Sequence, residues 1–194
     1  GVEISVEKRL PMGGGLGGGS SDAATTLLAL NHLWGAGAPR RRLREIGLSL
    51  GADVPVFVFG ENAFAEGVGE VLRPVALPPA WYVVLEPPVQ APTALIFGDS
   101  RLRRDAPPVP ASAWRPGFGG NDLQDVAIRL FPEIGRHLDW LSRFGDARMS
   151  GSGACVFAGF AGEEAAREVL ARLPGDMRGW TAAGLDAHPL RALG

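Results

Sequence analysis

The residues with the clearest chemical potential form a glycine run near the start of the chain, Pro-Met-Gly-Gly-Gly-Leu-Gly-Gly-Gly-Ser-Ser-Asp at positions 11–22. Glycine lacks a Cβ, so it adopts positive φ readily and lets a ligand approach the backbone closely. Successive N–H groups of such a loop can converge on one anion. A helix that begins directly after the loop adds unpaired N–H groups and the positive end of its dipole. The run therefore predicts a phosphate-binding loop.

Three phosphate-binding mechanisms compete for this run. A P-loop needs Gly-Lys followed by Ser or Thr at the helix start, but Gly19 is followed by Ser20 and Ser21, which excludes it. A dinucleotide fingerprint is matched formally, yet the match is weak inside a glycine run and no acidic residue follows a strand at the expected distance. The third mechanism is a loop that wraps the phosphates of a nucleoside triphosphate with its N–H groups. The two serine hydroxyls would then complete the cage or reach a metal ion.

A second candidate is Asp53, in the segment Gly-Ala-Asp-Val-Pro-Val-Phe at positions 51–57. An acid directly before a proline and an apolar run is expected near the start of a short helix. From the spacing alone two roles remain open. The carboxylate could cap the helix, or it could accept a proton from a substrate hydroxyl.

The other side chains that could carry chemistry have simpler explanations. His32, His137 and His188 are far apart without metal-ligand spacing, and we expect the first two on helix surfaces. Cys155 is predicted to be a small buried strand residue, because nothing near it marks a nucleophile. Trp114, within a proline-rich stretch, is the tryptophan best placed for a ligand contact.

Composition bounds the class of protein. A chain of 194 residues with 46% hydrophobic content can form one large globular domain or two small ones. A net charge of −2 argues against a general nucleic-acid or membrane-surface role. One cysteine cannot form an internal disulfide, and neither a signal peptide nor a membrane-spanning apolar run is evident, so we expect a cytoplasmic location.

The elements that would position these residues follow from apolar periodicity and from glycine and proline signals. Ala23, Leu27, Leu30 and Trp34 are expected on the inward face of the first helix, and the arginines at 40–44 on a solvated face of the second. In order, we expect a strand at 2–7, a helix from Ser20 or Ser21 to Gly35, a helix at 40–50, a hairpin at 63–65 and 71–75, a strand at 81–85, a helical turn capped by Thr93, helices after Asn121 and Pro132, a strand at 154–160, a helix at 163–173 and a strand at 178–183.

Prolines 74, 78 and 79 interrupt this pattern, so we predict two domains, at residues 1–76 and 77–194. The strand and helix order of the second half is that of a ferredoxin-like, split βαβ fold. Because the alternating pattern of a strand is already present at residue 2, we expect that a natural N-terminal part precedes Gly1.

The motifs together resemble the GHMP kinase superfamily. Residues 11–21 resemble its phosphate-binding motif, and three later segments resemble the branch that phosphorylates a cytidine-diphosphate-linked methylerythritol in isoprenoid synthesis; these are residues 51–57, 65–70 and 150–157. The resemblance implies an α+β protein, with a partial ATP-binding domain like the second domain of ribosomal protein S5 followed by a ferredoxin-like domain. It also implies ATP as co-substrate, Mg²⁺, and transfer to the 2-hydroxyl of that substrate.

Individual roles carry over with the resemblance. Asp53 matches the aspartate that takes or polarises the proton of the substrate hydroxyl, and Ser20 or Ser21 could reach the Mg²⁺ ion. The implied ATP-binding residues are Pro11, Met12, Gly13, Gly14, Gly15, Leu16, Gly17, Gly18, Gly19, Ser20 and Ser21, and the implied supporting loop consists of Ser150, Gly151, Ser152 and Gly153.

The family also places a catalytic lysine and cytidine-binding residues upstream of residue 2, and Lys8 is no substitute for that lysine. We therefore expect an incomplete kinase, a monomer or weak homodimer that binds a small molecule rather than nucleic acid or membrane. Two alternatives stay open. The chain could belong to a GHMP kinase that acts on another alcohol, or it could be a non-catalytic nucleotide-binding module.

Overall fold

The computed structural model describes residues 1–113 and 119–193, so Trp114 lies outside the described residues. The chain divides into two compact units, and the glycine run is shared between them, since the chain passes from one to the other at Leu16–Gly17. The predicted domain division at residue 76 stays a prediction. The first unit contains Gly1–Glu7, Gly17–Pro78 and Leu185–Gly194, and the second contains Lys8–Leu16 and Pro79–Gly184.

The first unit is built on three helices and a hairpin. Helix α3 packs against both α1 and α2, and the small core between them contains Ala24, Leu28, Leu43, Val54 and Val58. The hairpin is antiparallel and pairs Ala63 with Pro74, which confirms the predicted arms. The elements are α1 (Gly18–Leu33), α2 (Arg40–Leu50), α3 (Val54–Phe59), β1 (Ala63–Glu66) and β2 (Val71–Pro74).

Two predictions at the start of this unit are wrong. Residues 2–7 are not a strand, and Val2, Ile4 and Val6 are about half exposed. A strand needs a neighbouring strand for its backbone N–H and C=O groups, and residues 2–7 belong to neither of the two sheets in the described residues. Neither Ser20 nor Ser21 caps α1, because the helix begins at Gly18 and Gly17 is its N-cap.

The predicted faces of α1 and α2 also need correction. The fully buried residues of α1 are Ala24 and Leu28. The predicted inward residues Ala23 and Leu27 pack against the same core but are only partly buried, and Trp34, just after the helix ends at Leu33, is exposed. The arginines of α2 are not one solvated face. Arg40 donates to the carbonyl oxygen of Val58, and Arg44 donates to that of Glu70. The helix is therefore tied to the rest of the first unit through its basic side chains.

The second unit has one four-stranded antiparallel sheet with the order β4-β5-β3-β6. This is the ferredoxin-like order, as predicted. Helices α6 and α7 pack on the sheet, and Val83, Leu85, Val156 and Ala158 form its buried face. The elements are β3 (Trp81–Glu86), α4 (Thr93–Gly98), α5 (Gln124–Leu130), α6 (Pro132–Leu141), β4 (Arg148–Met149), β5 (Val156–Phe160), α7 (Glu163–Leu170) and β6 (Arg178–Ala183).

Three local predictions in this unit are wrong. Helix α7 ends at Leu170, three residues before the predicted end. Thr93 is the first helical residue of α4, whereas Pro92 is the N-cap. His137 is buried rather than on a helix surface, because its spacing from Ile134 and Leu141 puts all three on the inward face of α6. Its Nδ1 lies 2.7 Å from the carbonyl oxygen of Glu133.

Within the described ranges, none of the helices is both long enough and apolar enough to cross a membrane.

Candidate functional site

The glycine run adopts a backbone that favours glycine at alternate positions. Gly13, Gly15 and Gly17 have φ values of 72°, 71° and 67°. Residues with a Cβ are strained in this left-handed region. The left-handed backbone of the loop therefore explains why glycine occupies these three positions.

The first half of the run is held by the loop at residues 150–155. The N–H of Ala154 donates to the carbonyl oxygen of Gly13 at 3.1 Å, and the N–H of Cys155 donates to that of Gly14 at 3.0 Å. The Ser150 hydroxyl donates to the carbonyl oxygen of Gly15 at 2.7 Å. All three bonds use carbonyl oxygens, so none of them engages an N–H group of these glycines. We call residues 13–15 the pinned segment.

The pinned segment and residues 150–153 are in close contact. A Cβ built on Gly15 would lie 2.1 Å from the carbonyl oxygen of Ser150 and 2.9 Å from that of Gly153. One built on Gly14 would lie 2.9 Å from the Sγ atom of Cys155. The residues predicted to form a supporting loop thus lie directly against the glycine run.

Two polar side chains hold residues 150–153 from the other side. Asn121 Nδ2 donates to the carbonyl oxygens of Met149 and Gly151, and the Thr93 and Ser152 hydroxyls lie 2.8 Å apart. The sequence predicts Thr93 as a helix cap, and Asn121 as a helix cap or, less favoured, as a residue that closes over the substrate. No local signal reveals these contacts, because the partners are 28 to 59 residues away along the chain.

The second half of the run opens α1, and we call residues 17–21 the open segment. Its first internal bond runs from the N–H of Ser21 to the carbonyl oxygen of Gly17, at 2.8 Å. The preceding N–H groups are those that a helix start leaves without an intrahelical partner. A Cβ on Gly19 would meet no atom within 4 Å. Ser20 and Ser21 lie in this first turn of the helix.

Asp53 lies directly before α3, as predicted, and is exposed. Its side chain makes no capping hydrogen bond. Asp53 therefore does not cap α3 through its side chain, and its carboxylate is available to react with a substrate.

Helix α3 connects Asp53 with the open segment. Asp53 has helical dihedral angles, with φ −87° and ψ −12°, and Phe57 follows one helical turn later on the same face. A Cβ on Gly17 would lie 2.8 Å from the Phe57 ring. The face of α3 that carries Asp53 is therefore the face that contacts the start of α1.

Cys155 is buried, as predicted. Burial, and then the negative charge of Glu86, raise the pKa of its thiol to about 11. The thiol stays protonated at neutral pH and is a poor nucleophile.

A cavity of about 290 Å³ adjoins the pinned segment within the second unit. It is lined by Pro11, Met12 and Gly14, by residues 86–90, and by Ala154 and Cys155. In the part of the chain that the structure describes, no cluster of three or more His, Cys, Asp or Glu side chains could hold a metal ion.

Family models match both halves of the chain. Residues 1–61 match the model described as GHMP kinases N terminal domain, and residues 112–178 match that described as GHMP kinases C terminal.

Similar proteins carry a consistent name. A Thiobacillus denitrificans protein named 4-diphosphocytidyl-2-C-methyl-D-erythritol kinase is 62% identical over 190 residues, which cover 98% of this chain and 68% of that protein. A Dechloromonas aromatica protein of the same name is 56% identical over 191 residues, covering 98% and 70%. A crystal structure titled 4-(cytidine 5'-diphospho)-2C-methyl-D-erythritol kinase matches with a TM-score of 0.77 and 39% identity, covering 91% of this chain and 68% of that one.

Proposed function

This chain belongs to the GHMP kinase family of ATP-dependent small-molecule kinases, and we propose that it phosphorylates the 2-hydroxyl of 4-diphosphocytidyl-2-C-methyl-D-erythritol. The observation that carries this choice of alcohol is the high identity, over 98% of the chain, to two bacterial proteins named as kinases of that compound.

We propose that residues 11–21 bind the phosphates of ATP. The carbonyl oxygens of the pinned segment are already bonded to the protein, so its N–H groups can donate to phosphate oxygens. The N–H groups and dipole of the first turn of α1 add further positive potential. Phosphoryl transfer depends mainly on such positioning and on neutralisation of charge.

Mg²⁺ would neutralise charge on the phosphates, and the Ser20 or Ser21 hydroxyl would hold it. Mg²⁺ in nucleotide sites takes few ligands from the protein and the rest from phosphate and water. Hydroxyls in the first turn of α1, without a surrounding carboxylate cluster among the described residues, are consistent with that preference.

Asp53 is the proposed general base. The oxygen of the substrate 2-hydroxyl forms a bond to the γ-phosphorus of ATP, and its proton moves to the Asp53 carboxylate. The bond from the γ-phosphorus to the bridging oxygen breaks, and ADP leaves with that oxygen. Exposure of Asp53 and the absence of a side-chain cap bond support this role, because its carboxylate oxygens are not engaged in capping and can accept the proton of a substrate hydroxyl.

The test uses the complete product of the gene, with ATP, Mg²⁺ and a panel of alcohols that includes mevalonate and sugar acceptors. We expect ADP release with the cytidine-diphosphate-linked alcohol, and phosphorus NMR should locate the new phosphate on its 2-hydroxyl. Preferred phosphorylation of another alcohol would overturn the substrate assignment. ATP binding without turnover on any alcohol would favour a nucleotide-binding module instead.

A further inference from the structure

The side chain of Asn121 bridges two backbone positions on either side of Ser150. Its Nδ2 donates to the carbonyl oxygens of Met149 at 3.1 Å and Gly151 at 2.8 Å, while its Oδ1 accepts from the N–H of Leu123 at 3.0 Å. One amide thus ties the turn before α5 to the chain immediately before and after Ser150.

Ser150 is the residue that contacts the pinned segment most closely. Its hydroxyl donates to the carbonyl oxygen of Gly15, and its own carbonyl oxygen lies 2.1 Å from where a Cβ of Gly15 would be. Because no free space separates the two backbones, a displacement of Ser150 must also displace Gly15. The Asn121 amide therefore helps to set the shape of the pinned segment.

We infer that Asn121 is a positioning residue for ATP, acting through Ser150 on the N–H groups of residues 13–15. The inference rests on the proposed function, in which those N–H groups bind the phosphates. A purely structural role is the alternative, since Asn121 also caps the turn before α5.

The substitution Asn121→Asp separates the two roles. Aspartate retains the oxygen that accepts from Leu123 and is an equally good cap. It loses the Nδ2 donor and puts a carboxylate against two carbonyl oxygens, so the bridge becomes repulsive. A capping role predicts normal ATP affinity in this variant, whereas a positioning role predicts a loss.

We expect Asn121→Asp to raise the ATP dissociation constant of the complete gene product about tenfold. Gln124→Glu is the matched control, because it adds the same charge three residues later. Gln124 accepts from the N–H of Met149 through Oε1, a bond that a carboxylate oxygen can also accept. This control should remain within about twofold of wild type in ATP affinity.

The pH profile provides a readout that capping does not predict. Two facing carbonyl oxygens favour the protonated carboxyl, which can donate to one of them. Relative to wild type at each pH, the defect of Asn121→Asp should therefore shrink between about pH 8 and about pH 5. A cap would show the opposite trend, since an ionised aspartate is favoured at a helix start.

Amide hydrogen exchange tests the same inference without ATP. The N–H groups of Ala154 and Cys155, which donate to the pinned segment, should exchange faster in Asn121→Asp than in Gln124→Glu. If Asn121→Asp is too unstable to measure, Asn121→Ser, a neutral cap without the amide donors, should shift exchange and affinity in the same direction. Wild-type exchange and ATP affinity in the variant would overturn the inference. If the N–H groups exchange faster in Asn121→Asp but the wild-type protein binds no ATP, only the proposed function is contradicted.

Discussion

Gly15 of the pinned segment and Gly19 of the open segment are glycines for different physical reasons, and Gly17, at the start of the open segment, resembles Gly15 in its φ of 67° and its close contact with Phe57. In the pinned segment, residues 13–15, positive φ and close backbone contact exclude a side chain at Gly15. In the open segment, Gly19 has no unusual φ, and a Cβ there would meet nothing within 4 Å. The protein itself thus accounts for glycine at position 15, whereas only an approaching ligand would account for it at position 19. Substitutions can test that difference.

The largest expected effect is on the catalytic rate, at Asp53, which lies at the start of the helix that contacts the open segment. Asp53→Asn preserves the shape of a side chain that makes no capping bond, so the fold should be unchanged. If Asp53 is the general base, kcat of the complete gene product should fall about 10³-fold. Steady-state kinetics and the ATP dissociation constant measure this, with the latter expected near wild type. A variant with normal kcat would remove Asp53 from the mechanism.

In the pinned segment, Gly15→Ala should reduce stability most. The new Cβ would approach the carbonyl oxygen of Ser150 to 2.1 Å, at a residue whose φ is 71°. Left-handed strain and overpacking together predict a loss of about 2–4 kcal/mol in the free energy of unfolding. Urea denaturation followed by tryptophan fluorescence measures it. A loss below about 1 kcal/mol would mean that this contact is not rigid.

The pinned segment should also protect the Cys155 thiol. With its pKa raised to about 11 by burial and by Glu86, its thiolate fraction at neutral pH should be about a hundredfold below that of an ordinary thiol. Reaction with a chromogenic disulfide should therefore be slow in the folded protein and fast in urea. Since the folded pKa exceeds the unfolded one, this stabilising contribution is complete below pH 9 and is lost as the pH rises towards 11. Rapid labelling of the native protein would contradict the close packing.

The sequence predicted the elements well where the pattern is local. Strand β6 and helix α2 have their predicted ends, because apolar spacing and a stop signal determine each one. The prediction failed where a partner that is distant in the sequence determines the secondary structure. Residues 2–7 alternate like a strand but join neither sheet of the described residues.

The candidate site likewise contains residues that the sequence predicts and contacts that only the structure shows. The glycine run and Asp53 could be predicted from the sequence, because their residue types restrict the backbone conformation or the chemistry at those positions. The Asn121 bridge could not, since an asparagine before a helix suggests a cap and its two carbonyl partners are 28 and 30 residues away. Only the tertiary structure reveals that bridge.

Ser150→Ala tests a single bond of the pinned segment. It removes the donation to the carbonyl oxygen of Gly15 and leaves the backbone contact in place. One partly buried hydrogen bond predicts a loss of about 1 kcal/mol in the free energy of unfolding. Ser152→Ala is a suitable comparison, because that hydroxyl pairs with Thr93 at an exposed position. Equal losses of unfolding free energy in the two variants would show that the bond to Gly15 stabilises the protein no more than the exposed contact of Ser152 does.

The smallest effect on stability is expected in the open segment, and it has the opposite sign. Gly19 lies in the first turn of α1 with open space around its Cα, so Gly19→Ala should raise the free energy of unfolding by up to about 1 kcal/mol. The same methyl group would obstruct a phosphate that approaches the backbone, so ATP affinity should fall while stability rises. Thermal unfolding and nucleotide titration of one preparation measure both. If ATP affinity stays at the wild-type value, the phosphates do not contact residue 19, and the ligand-based explanation for this glycine is wrong.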